Sequence, residues 1–419
     1  MRRISILFRL AARGVLREAR RSLLTASAMA LGLALLMFAR SLADGGHEDW
    51  INVGVRMGAG HVLFQAPGFR ESRSLDDRLS GKQAAAAVRA LAMLEGPLAP
   101  LATTVRLTTN GLASSASSAL PVVIEGVDPK TEAGFSQAAQ RITEGRYLEP
   151  GDRLSAYVGH GVAERLGLSL GSRFVLTAQS ADHEIQGQFV RVVGVFRTGL
   201  PEVDEGLVHI PISTARSWLG AGDGATTVGA IFPTSGVVPE VVRAVRLDVE
   251  MDDIRVLGWQ EAYPELDAAV RIDDYGDYVF HAILFAIIAL AVLNTVLMAV
   301  LHRKREFAVL QALGLTPAET GLVVFTEGVL LTALAGVVGM ILGAALTWGF
   351  FRNGLDLSAF ISEEFTFSGI VIDPVIVPKF RMVQVLQSFV SIAVIGIVAS
   401  IYPAYYATKL DVGEALKFE

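Results

Sequence analysis

The chain has 419 residues, 52% hydrophobic and 19% charged, with 36 Lys+Arg against 42 Asp+Glu and no cysteine. A soluble domain carries about 25% charge, so this balance excludes an ordinary soluble globule, a disordered chain and a nucleic-acid binder built on a basic patch. The lack of cysteine excludes disulfides, thiolate metal sites and a cysteine nucleophile.

Residues 1–22 hold arginines at 2, 3, 9, 13, 17, 20 and 21. They predict a basic helix on the cytoplasmic face of a membrane, with Arg9–Arg21 amphipathic. Residues 23–42 form the first apolar block, with Arg40 its only charge. Ser41-Leu42-Ala43 could serve as a signal-peptide cleavage site, but the block is longer than the usual apolar region of roughly 7–15 residues, and an uncleaved anchor is the preferred reading.

Residues 43–278 read as a large mixed α+β domain. Strands are predicted at His61–Gln65, Leu120–Glu125, Arg173–Thr177, Phe189–Phe196, Leu207–Ile210 and Ile254–Leu257. Helices are predicted at Gly81–Leu94 and Val237–Val245, and Ala113–Ser118 reads as a loop or hairpin tip. A Gly-punctuated, strand-rich insert over about 140–222 divides the domain into two subdomains, and Pro264–Asp277 is expected to run helically into the next span. The acids Glu202, Asp204 and Glu205 fit a solvated turn better than a cation site. Asp273, Asp274 and Asp277 fit a membrane border. No histidine stands in a metal-binding spacing.

Three further apolar blocks follow, at 279–301, 321–351 and 383–407. A helix needs roughly 20 apolar residues to cross a bilayer core, so the fold class is a membrane protein of four transmembrane α-helices with the α+β domain between helices 1 and 2. The remaining segments are a cytoplasmic loop (302–320), an outer loop (352–382) and a cytoplasmic tail (408–419). The basic runs at the N-terminus and at His302-Arg303-Lys304-Arg305 put both ends in the cytoplasm. The domain carries 31 acids against 20 bases and belongs on the outer side.

Two kinds of polar residue stand inside the spans. Glu327 is costly there unless it is paired or faces protein, and Asn294-Thr295 can bond across helices. Gly336, Gly339 and Gly343 offer small-residue packing surfaces.

The loop Arg303-Lys304-Arg305-Glu306-Phe307-Ala308-Val309-Leu310-Gln311-Ala312-Leu313-Gly314-Leu315-Thr316-Pro317-Ala318-Glu319 carries the most specific pattern. Phe307, Leu310, Leu313 and Gly314 predict a short amphipathic helix with Gly314 at its C-cap. Thr316, Pro317 and Glu319 then start the third span with a capping box. By physics alone this helix either docks on a cytoplasmic partner or lies on lipid headgroups.

The run R-E-F-A-V-L-Q-A-L-G-L at 305–315 resembles the signature of FtsX/MacB-like ABC transporter permeases. So do Arg13-Gly14-Val15-Leu16 with Arg20-Arg21-Ser22-Leu23-Leu24-Thr25, and Tyr402-Pro403-Ala404-Tyr405 through Glu414-Ala415-Leu416-Lys417. Gln311 stands where arginine is common, and Gly413 where proline is usual nearby. The stretches Gly145-Arg146-Tyr147-Leu148, Gly159–Leu168 and Phe189–Asp204 look most like the lipoprotein-releasing (Lol-type) permeases. The resemblance implies a bacterial inner-membrane permease that pairs with a second copy or a paralogue on two ABC ATP-binding subunits. ATP and Mg would sit in those subunits, since this chain has no G-x-x-x-x-G-K-[ST] and no cofactor or metal site of its own. It further implies lipoprotein cargo, a periplasmic carrier and membrane lipid as partners, with MacB-like efflux through an adaptor and exit duct, or FtsX-like signalling, as alternatives. The ATPase-coupling residues would be Arg305, Glu306, Phe307, Leu310, Gln311, Leu313 and Gly314. An amphiphilic cargo would need an apolar cleft between spans one and two of the dimer, reached sideways from lipid, with Met29, Leu33, Leu36, Met37 and Phe38 facing Ile283, Ile287 and Leu290.

Overall fold

A computed structural model describes residues 2–17, 19–248, 253–356, 366–367, 370–371, 375–379 and 381–410. The C-terminal motif beyond Leu410 and most of the 352–382 loop lie outside the described residues. Two compact units are present. One is built from Met1–Gly46, Arg271–Asp356 and Val375–Glu419, the other from His47–Val270 and Leu357–Pro374.

Four helices are long and apolar enough to cross a membrane: Ser22–Met57, Pro264–His302, Pro317–Gly349 and Val385–Thr408. The first helix, Ala19–Met57, runs fifteen residues past the predicted end of its span. Gly45-Gly46 and the acids after them look like a helix stop, yet the helix passes through them. A Cβ at Gly45 would lie against the Val377 carbonyl oxygen, so close approach explains that glycine. Beyond it, Ile51 and Val55, four residues apart, are buried in the domain core.

Inside the helical unit the small residues of the third span seat its neighbours. Gly339 lies against the Ala30 carbonyl and Leu33, and Gly343 against Met37 and Ala34 of the first span. Gly328 and Gly336 face Ser400 and Ile392 of the fourth. Helices without a hydrophobic drive between them associate by such close packing. The basic N-terminal helix Arg2–Arg17 buries Leu7 and Ala11 against Val323 of the third span. Its apolar face is thus covered at least partly by protein.

The domain is built on one ten-stranded sheet. Its strands are β1 (Val62–Gln65), β2 (Ala102–Ser114), β3 (Ala119–Val127), β4 (Ile142–Gly145), β5 (Ser155–Gly159), β6 (Arg173–Gln179), β7 (Ile185–Phe196), β8 (Leu207–Pro211), β9 (Thr227–Ile231) and β10 (Arg255–Gly258). They follow the order β10-β1-β9-β2-β3-β8-β5-β7-β4, with β6 pairing both β2 and β7. Pairs β3–β8 and β5–β7 are parallel and the other pairs antiparallel. The helix Gly81–Ala92 starts at a Ser80/Gln83 capping box.

The long strand β2 was not expected from sequence. Its threonines and Gly111 hide the period-2 signal behind polar residues. Its first half pairs β9 and its second half β6, along one edge. Two hydrophobic cores part company within it: Val105 packs with the core drawn from residues 51–98 and 225–270, and Leu107 with the core of residues 107–221 and Leu75. One strand therefore serves both cores. Asp204 accepts bonds from the Thr198 and Gly199 backbone N–H groups and the Thr198 hydroxyl, holding a turn.

Candidate functional site: the joint between the second and third spans

The second span ends at His302, and Arg303 leaves the helix at φ −104°, ψ 17°. A short helix, Lys304–Ala312, follows. Gly314 turns the chain at φ +105°, in the left-handed region that favours glycine. Thr316 and Glu319 then bond reciprocally in a capping box and Pro317 opens the third span, as the local pattern predicts.

Arg303 organises this joint. One terminal nitrogen, Nη1, bonds both carboxylate oxygens of Glu327 at 3.0 Å, and Nε donates to Glu306 Oε2 at 3.1 Å. Its guanidinium also lies 5.1 Å from the centre of the Phe307 ring. One side chain thus ties together the end of the second span, the short helix and the third span. Glu306 reaches on to Arg17 of the N-terminal helix at 2.9 Å. A Cβ at Gly14 would fall 2.8 Å from Glu327 Oε1 and 3.0 Å from Arg303 Nη1, so that helix passes close over the pair. The cost of the carboxylate inside a span is met by a charged partner.

The expected coupling residues separate into two faces. Phe307 is 1% exposed and sits in the helical core with Val296, Val300 and Val324. Leu310 packs beside it, and Gln311 Nε2 donates to the Thr320 hydroxyl at 3.2 Å. Arg305, Leu313 and Gly314 are exposed, Leu313 at 77%. Val309 joins them at 43%. This nine-residue helix is a wedge, with one face in the core and the other in the open.

The residues expected to line a cleft between spans one and two of the dimer fall into two groups. Met29, Leu33, Leu36 and Met37 are buried in the helical core, and Phe38 stacks on Phe351 with ring centres 4.8 Å apart. Ile283, Ile287 and Leu290 are exposed. In an all-apolar helix, composition does not say which face meets the neighbouring helix. Asn294 is exposed too, and the cross-helix bond is made by Thr295 to Thr25, 3.1 Å between hydroxyls.

Sequence reasoning missed a second charged cluster, in the sheet domain. Arg106, 1% exposed, contacts Glu132 at 2.6 Å and Glu125 at 3.0 Å and lies 5.4 Å from the Phe135 ring centre. Thr104 also bonds Glu132. His209 lies between Glu125, at 3.3 Å, and the Tyr147 hydroxyl, at 3.2 Å. Burial disfavours the charge on Arg106, but Glu125 and Glu132 outweigh it and raise its pKa. Burial likewise pushes the Glu125 carboxyl up, but Arg106 outweighs it and holds the group below the usual carboxylate range. The partners are far apart in sequence and no local motif marks them.

Four membrane-length helices, a large α+β domain after the first and a short wedge helix between the second and third define a multi-pass membrane protein of the permease class. The MacB-like periplasmic core domain model matches residues 22–261, and the FtsX-like permease C-terminal model matches residues 278–412. The chain belongs to this FtsX/MacB-like ABC transporter permease family. Membership implies an ATP-binding partner subunit and a permease dimer. The chain is 22% identical over 326 residues to the lipoprotein-releasing system transmembrane protein LolC of Neisseria meningitidis, covering 75% of this chain and 77% of that one. It is 23% identical to LolC of Xylella fastidiosa, covering 71% and 73%. Among solved structures, the periplasmic region of MacB from Actinobacillus actinomycetemcomitans is similar at 12% identity and TM-score 0.35, covering 51% of this chain and 94% of that one.

Proposed function

We propose that this chain is the transmembrane permease subunit of a complex that releases lipoproteins from the bacterial inner membrane toward a periplasmic carrier. The similarity to LolC over about three quarters of both chains carries this reading. Both termini and the short helix Lys304–Ala312 face the cytoplasm, and the sheet domain faces the periplasm. A dimer of such chains sits on two ATP-binding subunits, which hold ATP and Mg. Closure of those subunits presses on Arg305, Val309 and Leu313. The buried side of the same helix passes the push through Phe307 and Arg303 to the second and third spans. No substrate need pass through the helical core. The exposed apolar faces at Ile283, Ile287 and Leu290 would meet lipid, acylated cargo or the second permease.

The test is a gentle-detergent purification of the tagged full chain with mass spectrometry of what is retained. Recovery of an ATP-binding subunit with acylated lipoprotein is the expected result. An ATP-binding subunit with an adaptor protein and no lipoprotein would turn the reading to MacB-like efflux. An intact chain that retains no ATP-binding subunit would sink the coupling scheme.

A further inference from the structure

The sheet domain holds a cavity of about 190 Å³ that none of the roles above uses. Arg106 and Glu125 of the buried cluster line it, together with Gln65, Thr108, Thr227 and Tyr263. Arg70 and Arg73 complete its lining. The inner charges are already matched, since Glu125 is engaged by Arg106 and His209, and Arg106 also by Glu132. The two other arginines are not. Arg70 donates to the Glu261 carbonyl, a neutral acceptor. The Arg73 side chain has no partner among the described residues, and its backbone sits at φ +51°, a conformation uncommon for any residue but glycine. The nearby Glu71 pairs instead with Arg255. Gln65 Nε2 donates to the Thr227 hydroxyl at 2.9 Å, which leaves that hydroxyl hydrogen to point elsewhere. The cavity therefore combines two uncompensated guanidinium groups with neutral hydrogen-bonding side chains. This is the donor set that recognises planar or tetrahedral oxyanions.

Its position adds a consequence. Gly58 and Ala59, which follow directly on Met57 at the end of the first long helix, line the cavity, as do Ala262 and Tyr263, which precede Pro264 at the start of the second. The Ala59 N–H donates to the Tyr263 hydroxyl at 2.6 Å, joining the two segments. We propose that this cavity binds a small ligand through a carboxylate or phosphate group, and that its occupancy stiffens the segments where the two long helices enter the domain. Signals from the domain would then depend on whether the cavity is filled.

The experiment uses the full-length protein in detergent at constant ionic strength. Inorganic phosphate and acetate are the probes, titrated separately by calorimetry, and amide hydrogen exchange is followed at Ala59 and Tyr263. The expected result is saturable binding of at least one probe, which also tells the phosphate source from the carboxylate source, with slower exchange at both amides. Replacing Arg70→Gln and Arg73→Gln together should weaken binding about tenfold or more. Lys82→Gln, on an open groove elsewhere in the domain, should leave it unchanged. Arg73 is exposed, so R73Q alone serves as a variant with little risk to folding. No saturable binding of either probe overturns the proposal. So does binding that survives in R70Q/R73Q. Binding that is lost in that variant but never slows exchange at Ala59 or Tyr263 overturns the stiffening.

Discussion

Arg106 in the sheet domain and Arg303 at the end of the second span are built from the same parts. Each gathers two carboxylates, Glu125 and Glu132 in one case, Glu306 and Glu327 in the other, and each lies over a phenylalanine ring at a little over 5 Å. They differ in exposure and in what they connect. Arg106 is buried where β2 passes from one core to the other, paired across to Thr227 of β9 and Val127 of β3, and borders the domain's cavity. Glu132 is fully buried with it. Arg303 keeps some contact with solvent, and its partner Glu306 is shared with Arg17, whose side chain is largely exposed. Arg106 and Glu132, both buried, cannot part without stranding a charge, so the pair locks the two halves of the sheet. A half-open cluster can exchange carboxylate for water on one side, which suits the moving joint of the proposed coupling scheme.

The largest effect is expected at the lock. Arg106→Met leaves two carboxylates without their counter-charge, a loss of about 3–5 kcal/mol, read as a lower thermal midpoint of the full chain in detergent. Adding Glu125→Met and Glu132→Met should recover much of it, because the stranded charges are then gone. A loss below about 1 kcal/mol for the single change would mean that the cluster is not what holds the sheet halves together. The same cluster sets a pH dependence. The Glu125 pKa is depressed in the fold, so its contribution is fully present above the ordinary value of 4.5 and disappears as pH falls through the lower folded value. The acid limb of a stability–pH curve should flatten in E125Q, and an unchanged limb would assign the titration elsewhere.

At the joint the cost should be smaller. Glu327→Ala removes charge-assisted bonds worth about 1.5–3 kcal/mol. A double-mutant cycle with Arg303→Ala should show coupling of about 0.5–3 kcal/mol, and strictly additive losses would mean that the pair does not act as a unit. Gly339→Leu, whose Cβ would lie 2.8 Å from the Ala30 carbonyl oxygen, should cost about 1–3 kcal/mol by overpacking. An engineered cysteine pair between the first and third spans would report whether they part. Leu313→Asp should change stability by no more than about 0.5 kcal/mol and yet abolish co-purification of the ATP-binding subunit. Retention of that subunit would move the docking surface off this helix.

Much of the joint was legible in advance because its signals are local. A Thr-Pro-x-Glu capping box and a glycine after an apolar repeat work within one turn of chain. The Arg303–Glu327 pair was half legible: a carboxylate inside a span requires a partner, but sequence does not name one 24 residues away. The buried cluster was not legible, since Arg106, Glu125, Glu132 and His209 each look like ordinary surface residues in their own segments. The buried faces of the spans were not legible either, because those helices are apolar on every side.

What this sequence determined by itself was the number of spans, the placement of a large α+β domain after the first, the capped turn between the second and third, and the family motifs. Hydrophobic length, capping and charge runs act over distances shorter than a helix, so no tertiary contact is needed to read them. Tertiary structure decided which face of the first span is buried, how far its helix continues, where β2 divides two cores, and which carboxylates meet each arginine. Those outcomes depend on segments that return from far along the chain, and the free energy of burying a charge or a methyl group is set by whatever neighbours arrive there.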